Sequence, residues 1–267
     1  MRLFNNGTPV EFVIDDYIPC IEYEQGLLEP AFVQPRVKKN NTVDIWVHLI
    51  VKAWAKLCGC YFNMMRGKTE DFLTDLTGFN CEKITTKRSD ILSFVYQQYQ
   101  LGYLLMAIPS EDRQFTLGVE PGVLLSICRF VQVDLGKEGV ANLVKLRNLA
   151  FNDDNVWNGK YATGSQLWTP ELMASMDEYE VDINRNIDEE CCFWVDETEF
   201  IDLFSHIIVN YNFHNNVYEF EKVRHVKENF SMVNFYTHSS SVGVISVRQF
   251  DSRRINGLKK TGLYQYS

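Results

Sequence analysis

The spacing of apolar positions changes several times along the chain, and each change predicts an element. "PVEFVIDD" is a β-branched run behind the turn signal "NNGT" and predicts a strand. From Thr42 the spacing lengthens to three and four residues: Trp46, Leu49, Ile50, Ala53, Trp54, Leu57 and Tyr61 share one stripe. "VDIWVHLIVKAWAKLCGCYFNMM" therefore predicts one long amphipathic helix, capped by Asn41 or Thr42 and ended at Gly67. "KTEDFLTDLTGF" predicts a short helix closed by a glycine turn. "SDILSFVYQQYQLGYLLMAI" predicts a helix capped by Ser89, with Ile91, Phe94, Val95 and Tyr99 on one face, passing near Gly102 into a strand.

Two apolar runs follow, strands 122–134 and 141–148, joined by the turn residues "GKEG". "TPELMASMDEY" predicts a helix with Thr169 as cap and Pro170 at its first position. "CCFWV" predicts a strand. "DETEFIDLFSHI" predicts a helix with Phe200, Leu203, Phe204 and Ile207 inward and His206 half-buried beside them. "NFSMVNFYTH" and "SVGVISVRQF" alternate as strands do.

Charge narrows the function. The net formal charge is −9, which excludes a general nucleic-acid binder needing a basic face. Residues 222–267 carry +6, leaving −15 on the first 221, and this change of sign places a module boundary near residue 221. Residues 171–202 hold twelve Asp and Glu against Arg185 alone, a solvated acidic face. Seven cysteines, an odd number without paired C-x-x-C units, imply neither a zinc site nor a disulfide framework but reduced thiols of the cytoplasm. Cys58, Cys60 and Cys128 are expected as small core residues, and Cys191 and Cys192 on opposite faces of a strand. No apolar stretch approaches the roughly 18 residues of a membrane span, and "MRLFNNGTPVEF" lacks a signal peptide's apolar core.

In order, these segments resemble the calpain protease core, a papain-like cysteine protease. "PVEFVIDDYIP" is similar to the family's strand and turn before an acidic pair and Pro. The helix matches W-x-x-L-x-x-K-A-x-A-K-x-x-G-x-Y at Trp46, Leu49, Lys52, Ala53, Ala55, Lys56, Gly59 and Tyr61. "DLTG" corresponds to the end of the first lobe, "LVKLRN" to the strand that ends in the catalytic Asn, "VWNGKY" to a W-x-G-x-W turn, and "FWVDETEF" to a strand-to-helix junction. The resemblance implies an α+β fold with an antiparallel sheet and packed helices: a partial first lobe over 1–84, a second lobe over 85–221 and the start of a β module over 222–267. It also implies a Cys–His–Asn triad and calcium regulation.

The chemistry departs from that pattern. The family's nucleophile lies in a G-x-C-W motif upstream of the V-I-D-D strand with which this chain begins. "GVLLS" matches the family's G-H-A-Y-S at Gly122 and Ser126, but Val123 occupies the His position and can neither give nor take a proton. Asn148 matches the family's Asn and is expected to bond local backbone at a strand end. Leu149 and Ala150 replace a Pro-Trp pair. His214, His225 and His238 lie too far downstream to replace the base. For calcium, Thr163 replaces one family Asp and Cys192 one carboxylate, and Glu190 remains as a remnant ligand. No cofactor is implied, calcium being the one possible ion.

The expectation is a catalytically inactive calpain-like domain acting as a protein-interaction or scaffolding module, in the cytoplasm and in a cytoskeletal or ciliary assembly, with a partner the sequence does not name. A fragment of a calcium-dependent endopeptidase and a non-catalytic calcium sensor are the alternatives. Arg253, Arg254, Lys259 and Lys260 suit either an acidic partner, such as a microtubule or lipid surface, or a β edge guarded by charge.

Overall fold

Asn6 and Gly7 both take positive φ, 51° and 87°, the left-handed conformation that an Asn-Gly pair adopts most readily. They close a hairpin of β1 (Arg2–Asn5) and β2 (Thr8–Glu11), in register from Arg2↔Glu11 to Asn5↔Thr8. The structure, a computed structural model, describes residues 1–22, 26, 28–31, 45–64, 68–111, 117–134, 139–148, 156–178 and 191–212, and single positions at 232, 234, 236 and 245. The strands expected in the tail lie outside the described residues. The chain divides into two units, Met1–Asn80 with Asn215–Ser267, and Cys81–His214.

In the first unit the strand expected over 9–16 stops at Glu11. Of the carbonyls that follow, that of Phe12 accepts from the Met1 amino group at 2.7 Å, and those of Val13, Asp15 and Tyr17 are met by two lysines. Lys56 Nζ donates to the Val13 carbonyl at 2.9 Å, and Lys52 Nζ to the carbonyls of Asp15 and Tyr17 and to the Asp15 carboxylate. Both lysines project from α1 (Trp46–Cys58), a shorter helix than its periodicity predicts. Gly59, at φ 93°, ends it, and a further turn, α2 (Tyr61–Met64), follows. The expected end residues Asn41, Thr42 and Gly67 lie outside the described residues. Trp46, expected on the buried stripe, is 59% exposed, whereas Ala53, Trp54, Leu57 and Cys58 are buried with Leu3. α3 (Thr69–Thr77) completes the unit: Phe72 meets Trp54 edge-on at 4.7 Å, and buried Asp75 accepts from Trp54 Nε1 at 2.9 Å. A short ladder pairs β3 (Cys20–Glu22) with β4 (Leu28–Pro30).

The second unit is built on one antiparallel sheet. Its strands are β5 (Cys81–Thr85), β6 (Leu104–Pro109), β7 (Leu125–Asp134), β8 (Val140–Asn148), β9 (Cys192–Asp196) and β10 (Phe204–Asn210), in the spatial order β5-β10-β6-β7-β8-β9. α4 (Ile91–Gln100) buries Ile91, Leu92 and Val95 against the core on one face. α5 (Pro170–Glu178) covers Val131, Val133, Leu143 and Trp194 with Leu172 and Met176. Thr169 caps α5 as expected, its hydroxyl accepting from the Leu172 N–H at 3.2 Å. Ser89 does not cap α4, because Asp90 occupies that position and gives no side-chain cap.

Two further readings change. β5 gives no sequence signal, since only Ile84 of its five residues is buried. The helix expected over "DETEFIDLFSHI" is α6 (Glu197–Leu203) alone, and the chain becomes β10 at Phe204. Phe204, Ile207, Ile208 and Val209 are all at most 1% exposed, in a strand paired on both sides. A fully buried strand and the inner face of a helix are both apolar runs, so periodicity does not separate them.

The turn before β7 offers a test. Gly118 has φ 85°, and a Cβ there would lie 2.2 Å from the Val156 carbonyl oxygen. Gly118→Ala should cost about 1–3 kcal/mol from the backbone conformation alone, and more from the clash, read as a lower urea midpoint. An unchanged midpoint would remove the close approach from the account.

Candidate functional site

β8 ends at Asn148, which pairs with Leu125, the first residue of β7. Asn148 is 1% exposed, and its backbone N–H donates to the Cys191 carbonyl at 2.7 Å. The strand expected to start at residue 122 starts three residues later. Gly122 turns the chain at φ 76°, and the N–H of Val123 donates to the Glu120 carbonyl at 3.3 Å. Val123 is therefore a half-buried turn residue, two positions beyond the Leu125–Asn148 pair.

Among the described residues two carry an imidazole, His48 on α1 and His206. The sequence places His206 on a helix; it stands on β10 instead, with Nδ1 3.1 Å from the Ser205 hydroxyl. β6 and β7 separate β10 from β8, so three strand spacings, roughly 14 Å, lie between their backbones. His206 is no neighbour of Asn148. His214, His225 and His238 lie outside the described residues.

Of the cysteines, Cys58 is buried as expected. Cys60 and Cys128 are exposed, contrary to the core role assigned to them. Gly59 ends the helix that would have buried Cys60, and Cys128 falls in a β-bulge between the Ile127–Leu146 and Arg129–Lys145 pairs.

A polar cluster lies at the W-x-G-x turn. Buried Trp157 stacks on Phe193 of β9 at 4.5 Å and 18°. Gly159 permits this approach, since a Cβ there would lie 2.1 Å from the Trp157 ring and 2.7 Å from Glu199 Oε1. The Lys160 N–H donates to Glu199 Oε1 at 2.7 Å, and its ammonium meets the Asp196 carboxylate and the Thr198 hydroxyl. Asp196 also caps α6, accepting from the Glu199 N–H at 2.8 Å. Burial pushes the Asp196 carboxyl up, but the Glu199 N–H, Lys160 and Thr198 outweigh it and hold the group below its ordinary value. Burial raises Glu199, whose Oε2 is buried without a hydrogen-bond partner. Sequence reasoning matched Gly159 and the turn as motif letters but gave Lys160, Asp196 and Glu199 no role.

This arrangement clamps a turn onto a strand–helix junction. Of the positions matched to the family's calcium ligands, two are described. Thr163 is an exposed hydroxyl, and Cys192 is a soft sulfur paired across the ladder with the cationic Arg147. Glu190 lies outside the described residues. Among the described residues, no three His, Cys, Asp or Glu side chains are placed to share a metal ion, and no helix is long and apolar enough to cross a membrane.

Residues 1–211 match the calpain family cysteine protease model. The chain is 32% identical over 184 residues to calpain-type cysteine protease ADL1 of Oryza sativa subsp. japonica, a match covering 64% of this chain and 8% of that protein. It is 25% identical over 230 residues to a calpain of Schistosoma mansoni, covering 80% of this chain and 29% of the relative. To calpain-5 of Caenorhabditis elegans it is 23% identical over 250 residues, covering 83% and 37%. The chain thus spans well under half the length of these curated relatives.

Two measurements follow from the clamp and the ligand set. A carboxyl held low stabilises the fold above its ordinary range, near pH 4, and loses that contribution as pH falls through the lowered value. Lys160→Met should therefore lower stability at pH 7 by about 0.5–1 kcal/mol, the pair being partly exposed, and by less at pH 3. Equal loss at both values in denaturant titrations would exclude the ion pair as the cause. A site of 10 μM affinity would add about 2.7 kcal/mol in 1 mM calcium. Calcium at that concentration should instead leave the melting temperature unchanged, and a rise of several degrees would restore a calcium site.

Proposed function

The chain belongs to the calpain family of cysteine proteases, and we propose that this domain is catalytically inactive and serves as a protein-binding or scaffolding module. One observation carries the reading: Val123 stands where the family resemblance puts the imidazole. A cysteine protease needs a base to make its thiol a thiolate and to protonate the leaving amine, and an isopropyl group can do neither. The reading does not depend on where the chain begins, because a nucleophile supplied from elsewhere would still lack this base.

The position of His206, with two strands intervening before β8, supports the same view. So do Leu149 and Ala150 where the family has its Pro-Trp pair. Meanwhile the packing letters of the resemblance keep their physical roles: Lys52 and Lys56 tie down the 13–17 segment, and Trp157 and Gly159 seat the turn on β9. A scaffold that retains its packing and lacks its chemistry is suited to binding. We assign it a protein partner in the cytoplasm, in a cytoskeletal assembly such as that of a cilium.

The full chain should not hydrolyse an unfolded protein substrate above the enzyme-free rate, with or without millimolar calcium. A peptidyl epoxide should label no cysteine in a calcium-dependent manner. Calcium-dependent turnover abolished by Asn148→Ala would overturn the proposal.

A further inference from the structure

The sheet face covered by α5 changes character along β7, β8 and β9. Val131, Leu143 and Trp194 lie under Leu172 and Met176 at one end. Toward the other end the hydrocarbon gives way to cations and thiols. Arg147 lies four residues from Leu143 and so shares its face, and its cross-strand partners are Ser126 on β7 and Cys192 on β9. Lys145 and the exposed, bulged Cys128 complete the patch.

Arg147 is half-buried, and its Nε is buried without a hydrogen-bond partner. A guanidinium stays charged at any physiological pH, so an unmet N–H in a desolvated place favours an incoming anion. The groups that act on it among the described residues are thiols. Arg147 hydrogen-bonds the Cys191 side chain, with Cys192 and then Cys128 next in electrostatic influence. Cys191 is buried, whereas Cys192, directly across the ladder from Arg147, is partly accessible to solvent.

We propose that Cys192 and Arg147 form an oxidation site for small peroxides, in which Arg147 stabilises first the Cys192 thiolate and then its sulfenate. The thiol releases its proton to water. The sulfur attacks one oxygen of hydrogen peroxide, the S–O bond forms and the O–O bond breaks, and the departing hydroxide takes up a proton and leaves as water. Sulfur loses two electrons and peroxide gains them. The new sulfenate oxygen accepts from the Arg147 Nε–H, the donor that otherwise has no partner. Cys192 stands where the family resemblance puts a carboxylate, so an oxidised sulfur returns an anionic oxygen to that place. The inference is independent of whether the domain hydrolyses peptides.

The test exposes the full chain to hydrogen peroxide with dimedone present and follows each cysteine by peptide mass spectrometry. Cys20 and Cys60, both exposed, serve as references within the same molecule. Cys192 should be labelled severalfold faster than either reference, and Arg147→Gln should lower its rate about tenfold, with Arg147→Lys between the two. Cys192→Ser should abolish that signal and leave the melting temperature unchanged. Should Arg147→Gln fail to fold, the comparison of Cys192 with Cys20 and Cys60 in the unaltered chain still decides the matter. Labelling no faster at Cys192 than at the references, or a Cys192 rate indifferent to Arg147→Gln in folded protein, overturns the proposal.

Discussion

The pairing of β7 with β8 is the constraint on which the second unit depends. Its ladder runs from Leu125↔Asn148 to Asp134↔Val140, with one bulge at Cys128. It fixes which residues meet at the open end of the sheet, and a slip of one residue would invert both faces. Leu125, Val144 and Leu146 would then leave the core for the face now carrying Arg147 and Leu143. With the register held, Asn148 is buried at the end of β8, and the chain enters β7 just past Val123. What this corner of the fold can do chemically is decided by those two positions.

The surrounding structure is stabilised independently of any chemistry there. β9 is buttressed by the Trp157–Phe193 stack, which Gly159 allows, and by Lys160 reaching the Asp196 and Thr198 side chains. In the first unit, Lys52 and Lys56 meet the carbonyls of Asp15 and Val13. None of these contacts needs an imidazole or a thiolate. Packing and proton transfer rest on different side chains, so one can be lost without the other.

Much of this was legible from local patterns. The Asn-Gly turn, the α5 cap at Thr169, the β7–β8 hairpin and Asn148 at a strand end all carry short-range signals. So did the family itself, through its spaced motifs. Where reading failed, distance along the chain or competing signals were the cause. Lys160 and Asp196 are thirty-six residues apart and leave no periodic trace. Phe204–Asn210 reads equally as helix or buried strand until β5 and β6 are placed on either side of it. Cys60 sits in apolar surroundings in sequence but follows a glycine that ends its helix. Cys128 continues an alternating strand in sequence, and only the register with β8 reveals the bulge.

The central claim is that no imidazole activates a thiol in this domain. The most direct measurement is the pH dependence of alkylation at each cysteine, resolved by mass spectrometry. A thiol alone gives a rate that rises through one ionisation, whereas a thiol paired with histidine gives a second inflection in the imidazole range, around pH 6.5. The account predicts a single rise at every cysteine. A two-step profile at any one of them, reduced to one step when a histidine is replaced, would contradict it.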